Sequence, residues 1–363
     1  MSKVFVLGAG ASKEYISVTG FTAPLNGDFW GTTSRIIDEA IKKGNPGLRP
    51  EDGGRLDLRK IVNSLKLWYP INKLVDLNHY GLEQVFSDVQ QQHPDDLNTL
   101  QWLLEKVLSE IIRGVDQNSA PTHYAFVKNM LQPGDSIITF NYDIITDRTI
   151  EDISKKEGSH IKWHPSSGYG LSFSGFINQL TQGFLNGIPT DNYNKVLPLE
   201  YAISDVVIYK LHGSLGWIER EDHTLALYLT SIDNKVQLAQ KGHLAGSFFI
   251  VPPIQDKDKQ FRREWIEKLW EDAEERLSHA DQVFCVGYSF PRTDSKAINM
   301  FKRGCKGKPV NIILPEIDQN ERMMIRLCEI FDNKPHFVSK TFSQWVHCRN
   351  GLNKLTKAEI KLI

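Results

Sequence analysis

"VFVLGAGAS", residues 4–12, places four apolar residues directly before a turn made of glycine and alanine. Four β-prone residues that end in Gly8 and Gly10 indicate a buried strand followed by a tight turn. Backbone N–H groups in such a turn can approach a phosphate group closely. A lone Gly-x-Gly marks a tight turn without a ligand about as often as it marks a phosphate site. The stretch therefore predicts a buried strand, and it leaves a phosphate site as one of two interpretations.

Short β-rich runs alternate with helical patterns along the rest of the chain, which favours the α/β class with a parallel sheet. Helices are predicted at residues 33–43, with Thr33 or Ser34 near the start, and at 95–113, whose apolar stripe we interpret as core packing. The predicted strands are Val4–Leu7, Ser136–Phe140, Val206–Leu211, Phe248–Val251, Gln282–Val286 and Val310–Leu314.

Composition argues against several classes of partner. The chain has 43 Lys and Arg residues against 44 Asp and Glu residues, so no basic field points to a nucleic acid or an anionic membrane. No run approaches the roughly 18 apolar residues of a membrane span. The four cysteines form no C-x-x-C pair, so we expect no metal site. We expect a cytoplasmic protein, with neither a membrane nor a specific nucleic acid sequence among its partners.

The turn after the first strand lacks the fingerprint of dehydrogenases. That fingerprint is G-x-G-x-x-G running into a helix, with an acidic residue about 20 positions further on. Here Lys13 takes the place of the third glycine, and a loop punctuated by Gly and Pro follows. The sequence therefore argues against hydride transfer.

A second motif, "SIITFNYDIITD", carries polar residues at a strand end. The predicted strand delivers Asn141 to the carboxyl edge of the sheet and Asp143 to the start of a helix. Ligands of open α/β sheets bind outside the carboxyl ends of the strands. Asp143 fits a helix N-cap equally well, so its role stays open between the two.

His212 follows another predicted strand, in the stretch "IYKLHGSLGW". A lone histidine at a strand end is structural more often than catalytic, by about three to one. Its position on the same edge as Gly8 and Asn141 favours a site where the three ends converge.

Taken in order, these three strand ends resemble the NAD-binding core of the sirtuins, and more narrowly the bacterial sirtuin-like proteins of antiphage defence. The resemblance implies a Rossmann-like parallel sheet. It assigns the Asn and Asp of a T-x-N-x-D motif to Asn141 and Asp143, near the nicotinamide ribose, and the general base to His212. It assigns the pyrophosphate of NAD to the first turn, formed by Gly8, Ala9, Gly10, Ala11 and Ser12.

Further segments extend the resemblance to the rest of the cofactor. "VFCVGYSF" is similar to the strand end that binds the phosphate and ribose, and "NIILPEID" to the segment at the adenosine ribose, although Leu314 replaces the usual Asn. "APLNGDFW" is similar to the cofactor-binding loop. The implied contacts are Gly287, Tyr288 and Ser289 in the first segment, Pro315 and Glu316 in the second, and Asp28 and Phe29 in the third.

One departure from the family bears on activity. Sirtuin deacylases carry a four-cysteine zinc ribbon, and without a C-x-x-C pair the acyl-lysine cleft would lack its second wall. The resemblance then implies an NAD+ glycohydrolase for which NAD+ is the substrate and no metal is needed. A non-catalytic subunit that binds NAD or ADP-ribose, and a zinc-free deacylase, remain as alternatives.

The resemblance also implies a domain organisation. Residues 1–30 and 131–363 would form the core and 31–130 a helical insertion, while 155–204 would be a lid or an assembly surface. The helical stripe with Trp265 and Trp270 indicates packing or an oligomer face. Control would come from a homo-oligomer or from a partner such as a hexameric ATPase of the HerA kind or a short Argonaute.

Overall fold

A computed structural model describes most of the chain. The described residues are 2–17, 20–42, 65, 69, 73–112, 115–177, 184–185, 188–189, 200–220, 223–228, 246–254 and 263–348. No helix among them is long and apolar enough to cross a membrane.

The strands fall into a large sheet, a smaller sheet and a short hairpin. In chain order they are β1 Lys3–Leu7, β2 Ser136–Thr139, β3 Phe176–Ile177, β4 Phe184–Leu185, β5 Ile188–Pro189, β6 Val207–Lys210, β7 Gly213–Arg220, β8 Leu225–Tyr228, β9 Gly246–Ile250, β10 Gln282–Val286, β11 Val310–Leu314 and β12 His336–Ser339.

The large sheet has six parallel strands in the order β12-β11-β10-β1-β2-β6. From β1 the chain adds β2 and β6 on one side, and it then returns to add β10, β11 and β12 on the other. This order confirms the predicted α/β class with a Rossmann-like parallel sheet. The reversal lies between β1 and β10, where open α/β sheets form a crevice at the carboxyl ends of their strands.

Five of the six predicted strands lie in this sheet, and one prediction was wrong. Phe248–Val251 was expected to be a parallel strand, but it overlaps β9, which pairs antiparallel with β7 in the smaller sheet β3-β8-β7-β9. Successive residues of β9 are buried, so both of its faces are covered and the run looks like a parallel core strand. The sixth parallel strand, β12, was missed because it is half-exposed at the sheet edge.

A glycine joins the two sheets. Gly213 follows β6 by three residues and begins β7 with a φ of 83°. A Cβ at this position would lie 2.1 Å from the carbonyl oxygen of Phe249, so only glycine fits. His212, directly before it, accepts a hydrogen bond at its carbonyl from the backbone N–H of Val251 (2.8 Å). His212 therefore lies where the two sheets meet.

Helices cover both faces of the large sheet, and among the described residues short 3₁₀ turns occur at Leu74–His79 and Ile317–Gln319. The helices are α1 Ala9–Ser12, α2 Phe29–Lys42, α3 Gly81–Gln92, α4 Pro94–Ile111, α5 Pro121–Asn129, α6 Ile145–Ser154, α7 Glu264–His279, α8 Ser295–Gly304, α9 Glu321–Cys328 and α10 Phe342–His347.

The predicted helix 33–43 begins earlier than its cap signal suggested. α2 starts at Phe29, and the N–H groups of Trp30 and Gly31 donate to the side-chain oxygen of Asn78 (3.1 and 3.3 Å). The unpaired backbone N–H groups at the start of α2 are therefore hydrogen-bonded by a side chain that lies 48 residues away in sequence. The Thr33 hydroxyl, expected near the cap, instead donates to the Phe29 carbonyl inside the helix.

Trp270 on α7, for which the sequence left packing or an oligomer face open, packs inside the protein. Its side chain is buried, 6.1 Å from the ring centre of Phe140, so it cannot lie on an oligomer face. Trp265 is half-buried against Phe249. The division of the chain into a core and an insertion at 31–130, and the role of 155–204, stay predictions.

Candidate functional site

A cavity of about 530 Å³ lies at the carboxyl ends of the parallel strands, at the reversal between β1 and β10. The ends of β1, β2, β6, β10 and β11 all contribute to its wall. The predicted site residues that line it are Ala9, Gly10, Ser12, Phe29, Asn141, Asp143, His212, Gly287, Tyr288, Ser289 and Pro315. The structure therefore brings together residues from six separate segments of the chain.

Four predicted contacts do not line this cavity. Gly8 and Ala11 lie within the turn behind its wall, and Ala11 is buried. The Asp28 carboxylate pairs with Lys13 and accepts from the backbone N–H of Leu25 (2.6 Å), so it closes the loop at the rim. Glu316 is exposed in a left-handed conformation. Cofactor contacts by these four residues stay predictions.

The glycines of the first turn pack against the turn after β10. A Cβ on Gly8 would lie 2.5 Å from the carbonyl oxygen of Gly287. A Cβ on Gly10 would lie 2.8 Å from the Cα of Gly287. Gly287 itself has a φ of 64°. The backbone N–H of Gly10 donates to the Gly287 carbonyl (3.0 Å). Contact between the two turns is therefore sufficient to require glycine at these positions, whatever the cavity binds.

Asn141 is held against the first turn by its own amide. Its Nδ2 group donates to the Gly8 carbonyl (2.9 Å) and to the Ser12 hydroxyl (3.0 Å), and its backbone N–H donates to the Thr139 hydroxyl (3.1 Å). Both amide hydrogens are used within the protein. A ligand at this point would therefore meet the amide oxygen, which can accept a hydrogen bond from a hydroxyl or a water molecule.

Asp143 lies one residue before Ile144, the N-cap of α6, and its role toward a ligand stays a prediction. One carboxylate oxygen accepts from the backbone N–H of Ile145, the first residue of α6 (3.0 Å), and the other accepts from the Ser12 hydroxyl (2.8 Å). The carboxylate thus accepts one backbone N–H at the start of α6 and ties the end of β2 to the turn after β1.

A buried ion pair supports the same loop from behind. Lys210 is 1% exposed, and its ammonium group donates to the Asp143 carbonyl (2.5 Å) and to the Asp147 carboxylate (3.2 Å). The Tyr169 hydroxyl donates to the other oxygen of Asp147 (2.6 Å). Burial, together with the charge of Asp147, raises the pKa of Tyr169 well above its ordinary value, so it remains a donor.

His212 is 5% exposed and presents its imidazole to the cavity. Its ring lies edge-on to Phe140, with ring centres 5.1 Å apart, and Trp270 lies 6.3 Å away. The Nε2 atom lies 3.9 Å from a carboxylate oxygen of Asp294. The imidazole is thus enclosed by aromatic rings and faces one buried carboxylate.

Several cavity residues were missed from the sequence. Asp294 precedes α8 and looks like an ordinary helix cap, and Glu83 lies in a helical region that was assigned no role. Tyr142 follows Asn141 directly, and burial raises the pKa of its hydroxyl well above the ordinary value. Leu104 and Leu108 of α4, interpreted as core packing, also line the cavity. The only sequence signal for Asp294 is its position five residues after Ser289.

The described part of the chain contains no group of three or more His, Cys, Asp or Glu side chains placed to hold a metal ion.

No protein-family model matches this chain, and no curated protein matches it. It is similar to solved structures of Sir2 proteins. A Sir2 homologue in complex with NAD is 14% identical over 95% of this chain and 86% of that chain, with a TM-score of 0.40. Sir2Tm bound to a propionylated peptide is 11% identical over 95% and 90% of the two chains, with a TM-score of 0.37. At such identities the likeness concerns the fold alone, which the strand order above establishes independently.

Proposed function

We propose that this chain hydrolyses NAD+ to nicotinamide and ADP-ribose. The observation that carries the proposal is the convergence of the Asn141 amide and the His212 imidazole on one cavity whose wall includes the glycine turn after β1. A neutral histidine and an amide at the switch point of a parallel sheet suit the transfer of a proton from a neutral nucleophile.

The reaction breaks the bond between the nicotinamide nitrogen and C1′ of the ribose. The pyridinium takes the bonding electrons and leaves as neutral nicotinamide, while positive charge develops on the ribose. Water adds at C1′, and its proton passes to His212. The neutral form of a histidine carries a lone pair on one ring nitrogen and can accept that proton. The Asn141 oxygen would orient the water or a ribose hydroxyl without ionising.

The cavity suits a dinucleotide in size and chemistry. Its volume of about 530 Å³ lies within the range typical of small-molecule sites. Its wall combines backbone turns and hydroxyls at one strand end with aromatic rings, of which Phe140 and Tyr288 stack at 4.4 Å. Polar side chains of the wall such as Asn141 and Asp143 are held by neighbouring residues, as in sites that fix the orientation of a ligand.

The test is to incubate the purified protein with NAD+ and to quantify nicotinamide and ADP-ribose. His212→Ala should abolish nicotinamide release while NAD+ still binds, since a general base contributes about 10²–10⁴-fold to rate. NAD+ binding without turnover in every assembly state of the wild-type protein would favour a regulatory subunit instead. Turnover that requires an added acyl-lysine peptide would favour a deacylase.

The same proposal includes control by assembly, as in an NAD-depleting effector of antiphage defence. Two hydrogen bonds across the cavity rim support it. The Thr293 hydroxyl donates to the Glu83 carboxylate on α3 (2.8 Å), and the backbone N–H of Leu82 donates to the Asn26 carbonyl (3.1 Å). A neighbour that displaced α3 would alter access to the cavity.

The proposed neighbour is a second copy of this chain or a partner such as a HerA-type ATPase or a short Argonaute. Size-exclusion fractions assayed for NAD+ turnover would decide between them. Equal activity per subunit in monomer, oligomer and partner complex would refute control by assembly.

A further inference from the structure

We propose that Asp294 is a positioning residue for His212, holding its imidazole and stabilising the positive charge that the ring gains with a proton. The inference rests on the proposed function, because it assigns a partner to the proposed general base. Asp294 was assigned no role from the sequence.

The side chains of His212 and Asp294 lie next to each other in a buried region. Nε2 of His212 and Oδ1 of Asp294 are 3.9 Å apart, with side chains 6% and 5% exposed. This separation exceeds a hydrogen bond, but it lies within the range over which a buried carboxylate favours the charged imidazole. Hydrogen bonds of a general base commonly tighten when substrate binds.

Asp294 does not use its carboxylate as its position in the chain predicts. Asp is among the residues most favoured at a helix N-cap, where its side chain accepts a hydrogen bond from a backbone N–H of the first turn. Asp294 stands at the N-cap of α8, yet its side chain makes no capping hydrogen bond. The carboxylate instead accepts from the Tyr288 hydroxyl (2.9 Å). The side chain is therefore directed into the site and away from its own helix.

Tyr288 fixes the carboxylate from the far side. Its ring stacks on Phe140, and Phe140 lies edge-on to His212, so the three rings and the carboxylate form one packed unit. A carboxylate held in this way cannot turn away from the imidazole without breaking the hydrogen bond to Tyr288. Such support from a neighbouring residue is what orients the base in catalytic sites.

The electrostatic surroundings of the imidazole favour the same assignment. Burial, and then the charge of Asp294, raise the pKa values of both Tyr288 and Tyr142 well above the ordinary value, so both remain neutral near pH 7. In the part of the chain that the structure describes, charged groups in this region include Glu83 on the cavity wall and Lys296, whose ammonium lies over Trp270. Asp294 is thus the carboxylate that the structure sets against Nε2.

When the proton arrives, the ring becomes a cation beside a fixed anion. The charge that develops on His212 is then compensated without movement of the protein.

The test compares wild type with Asp294→Asn, which keeps an oxygen for the Tyr288 hydroxyl and removes the charge. The imidazole of His212, identified by its loss in His212→Gln, is followed by ¹⁵N NMR across pH. We expect its titration midpoint to move to lower pH by about one unit in Asp294→Asn. We also expect kcat to fall about tenfold or more at similar affinity for NAD+, with partial recovery in Asp294→Glu. Asp272→Asn, which removes a carboxylate paired with Lys268 on α7, is the matched control.

An unchanged midpoint in Asp294→Asn overturns the proposal, and so does a shifted midpoint with unchanged kcat. The NMR measurement needs no turnover, so it separates this proposal from the function on which it rests. A lack of NAD+ hydrolysis in monomer, oligomer and partner complex alike overturns the proposed function, while the titration still reports whether Asp294 acts on His212.

Discussion

The Ser12 hydroxyl donates to the Asp143 carboxylate over 2.8 Å, which joins the turns after β1 and β2 across 131 residues of sequence. Ser12 also accepts from the Asn141 amide, so it lies between the two polar residues of the second motif. The wall of the cavity is therefore ordered by contacts within the protein. A site that is ordered before its ligand arrives loses less entropy on binding.

Ser12→Ala should weaken both stability and turnover. The change leaves a buried carboxylate oxygen and an amide hydrogen without their partner, at a cost of about 1–3 kcal/mol. Urea denaturation measures the loss, and NAD+ turnover should fall because the Asn141 amide is less well held. Ser278→Ala, which removes an exposed hydroxyl on α7, is the control and should change neither. Wild-type stability in Ser12→Ala would contradict the link between the turns.

Gly10→Ala should destabilise the protein because its Cβ would press on Gly287 at 2.8 Å. The expected loss is about 1–3 kcal/mol, typical of an added methyl group in a closely packed region. Gly27→Ala is the control, since a Cβ on Gly27, also on the cavity wall, meets no atom within 4 Å. Equal melting temperatures for the two variants would show that the turns can separate. Loss of NAD+ affinity in Gly10→Val would not by itself demonstrate a pyrophosphate contact.

Lys210→Met should destabilise the protein by about 3–5 kcal/mol, because it leaves the Asp147 carboxylate buried without its cation. The double variant with Asp147→Asn removes both charges and keeps an oxygen for the Tyr169 hydroxyl, so it should recover most of the loss. Lys155→Met, at an exposed ion pair with Glu151, should cost less than about 0.5 kcal/mol. Additive losses in the double variant would argue against coupling between Lys210 and Asp147.

Glu105 should make the protein less stable as pH rises from about 4.5 to 7. Burial raises the pKa of its carboxyl from 4.5 to about 7, and a hydrogen bond from Gln101 offsets part of this. In that window the folded protein retains a proton that the unfolded chain has released, so folding weakens with pH, by about 3 kcal/mol at most above pH 7. Glu105→Gln should therefore be more stable than wild type at pH 8. Urea midpoints that differ equally at pH 4.5 and 8 would contradict this.

His123 should have the opposite effect. Burial lowers its pKa from 6.5 to about 4, so the unfolded chain gains a proton between these values that the folded protein does not bind. Stability from this residue is complete above pH 6.5 and declines as pH falls toward 4. His123→Leu should lose that acid sensitivity, and its denaturation midpoint should decline less than that of wild type between pH 6.5 and 4.5.

The sequence predicted what depends on local pattern. Strand β1 and the glycine turn were found because four apolar residues and two glycines are contiguous, and the ends of β2 and β6 followed from similar runs. Strand β12 was missed because an edge strand buries too little to carry an apolar run. β9 was assigned to the wrong sheet because burial on both faces gives the same run in either kind of sheet.

The candidate site shows the same division. Asn141 and His212 were found because each directly follows a strand. Asp294 was missed because a carboxylate before a helix has an ordinary explanation as a cap, and only the packing of Tyr288 shows that it points elsewhere. Asn78 likewise caps α2 from a distant segment, which no local pattern reveals.

At the junction near Gly213, the backbone of His212 is held by both sheets. Its chain continues from the parallel sheet, while its carbonyl is held by Val251, directly after the last strand of the smaller sheet. The next residue, Gly213, can only be glycine, so no side chain separates the backbones of the two sheets at this point. The orientation of the imidazole is therefore set by the angle between two sheets as well as by its neighbours in the cavity. A force applied to the outer strands of the smaller sheet reaches the proposed base along the backbone, without any contact at the cavity.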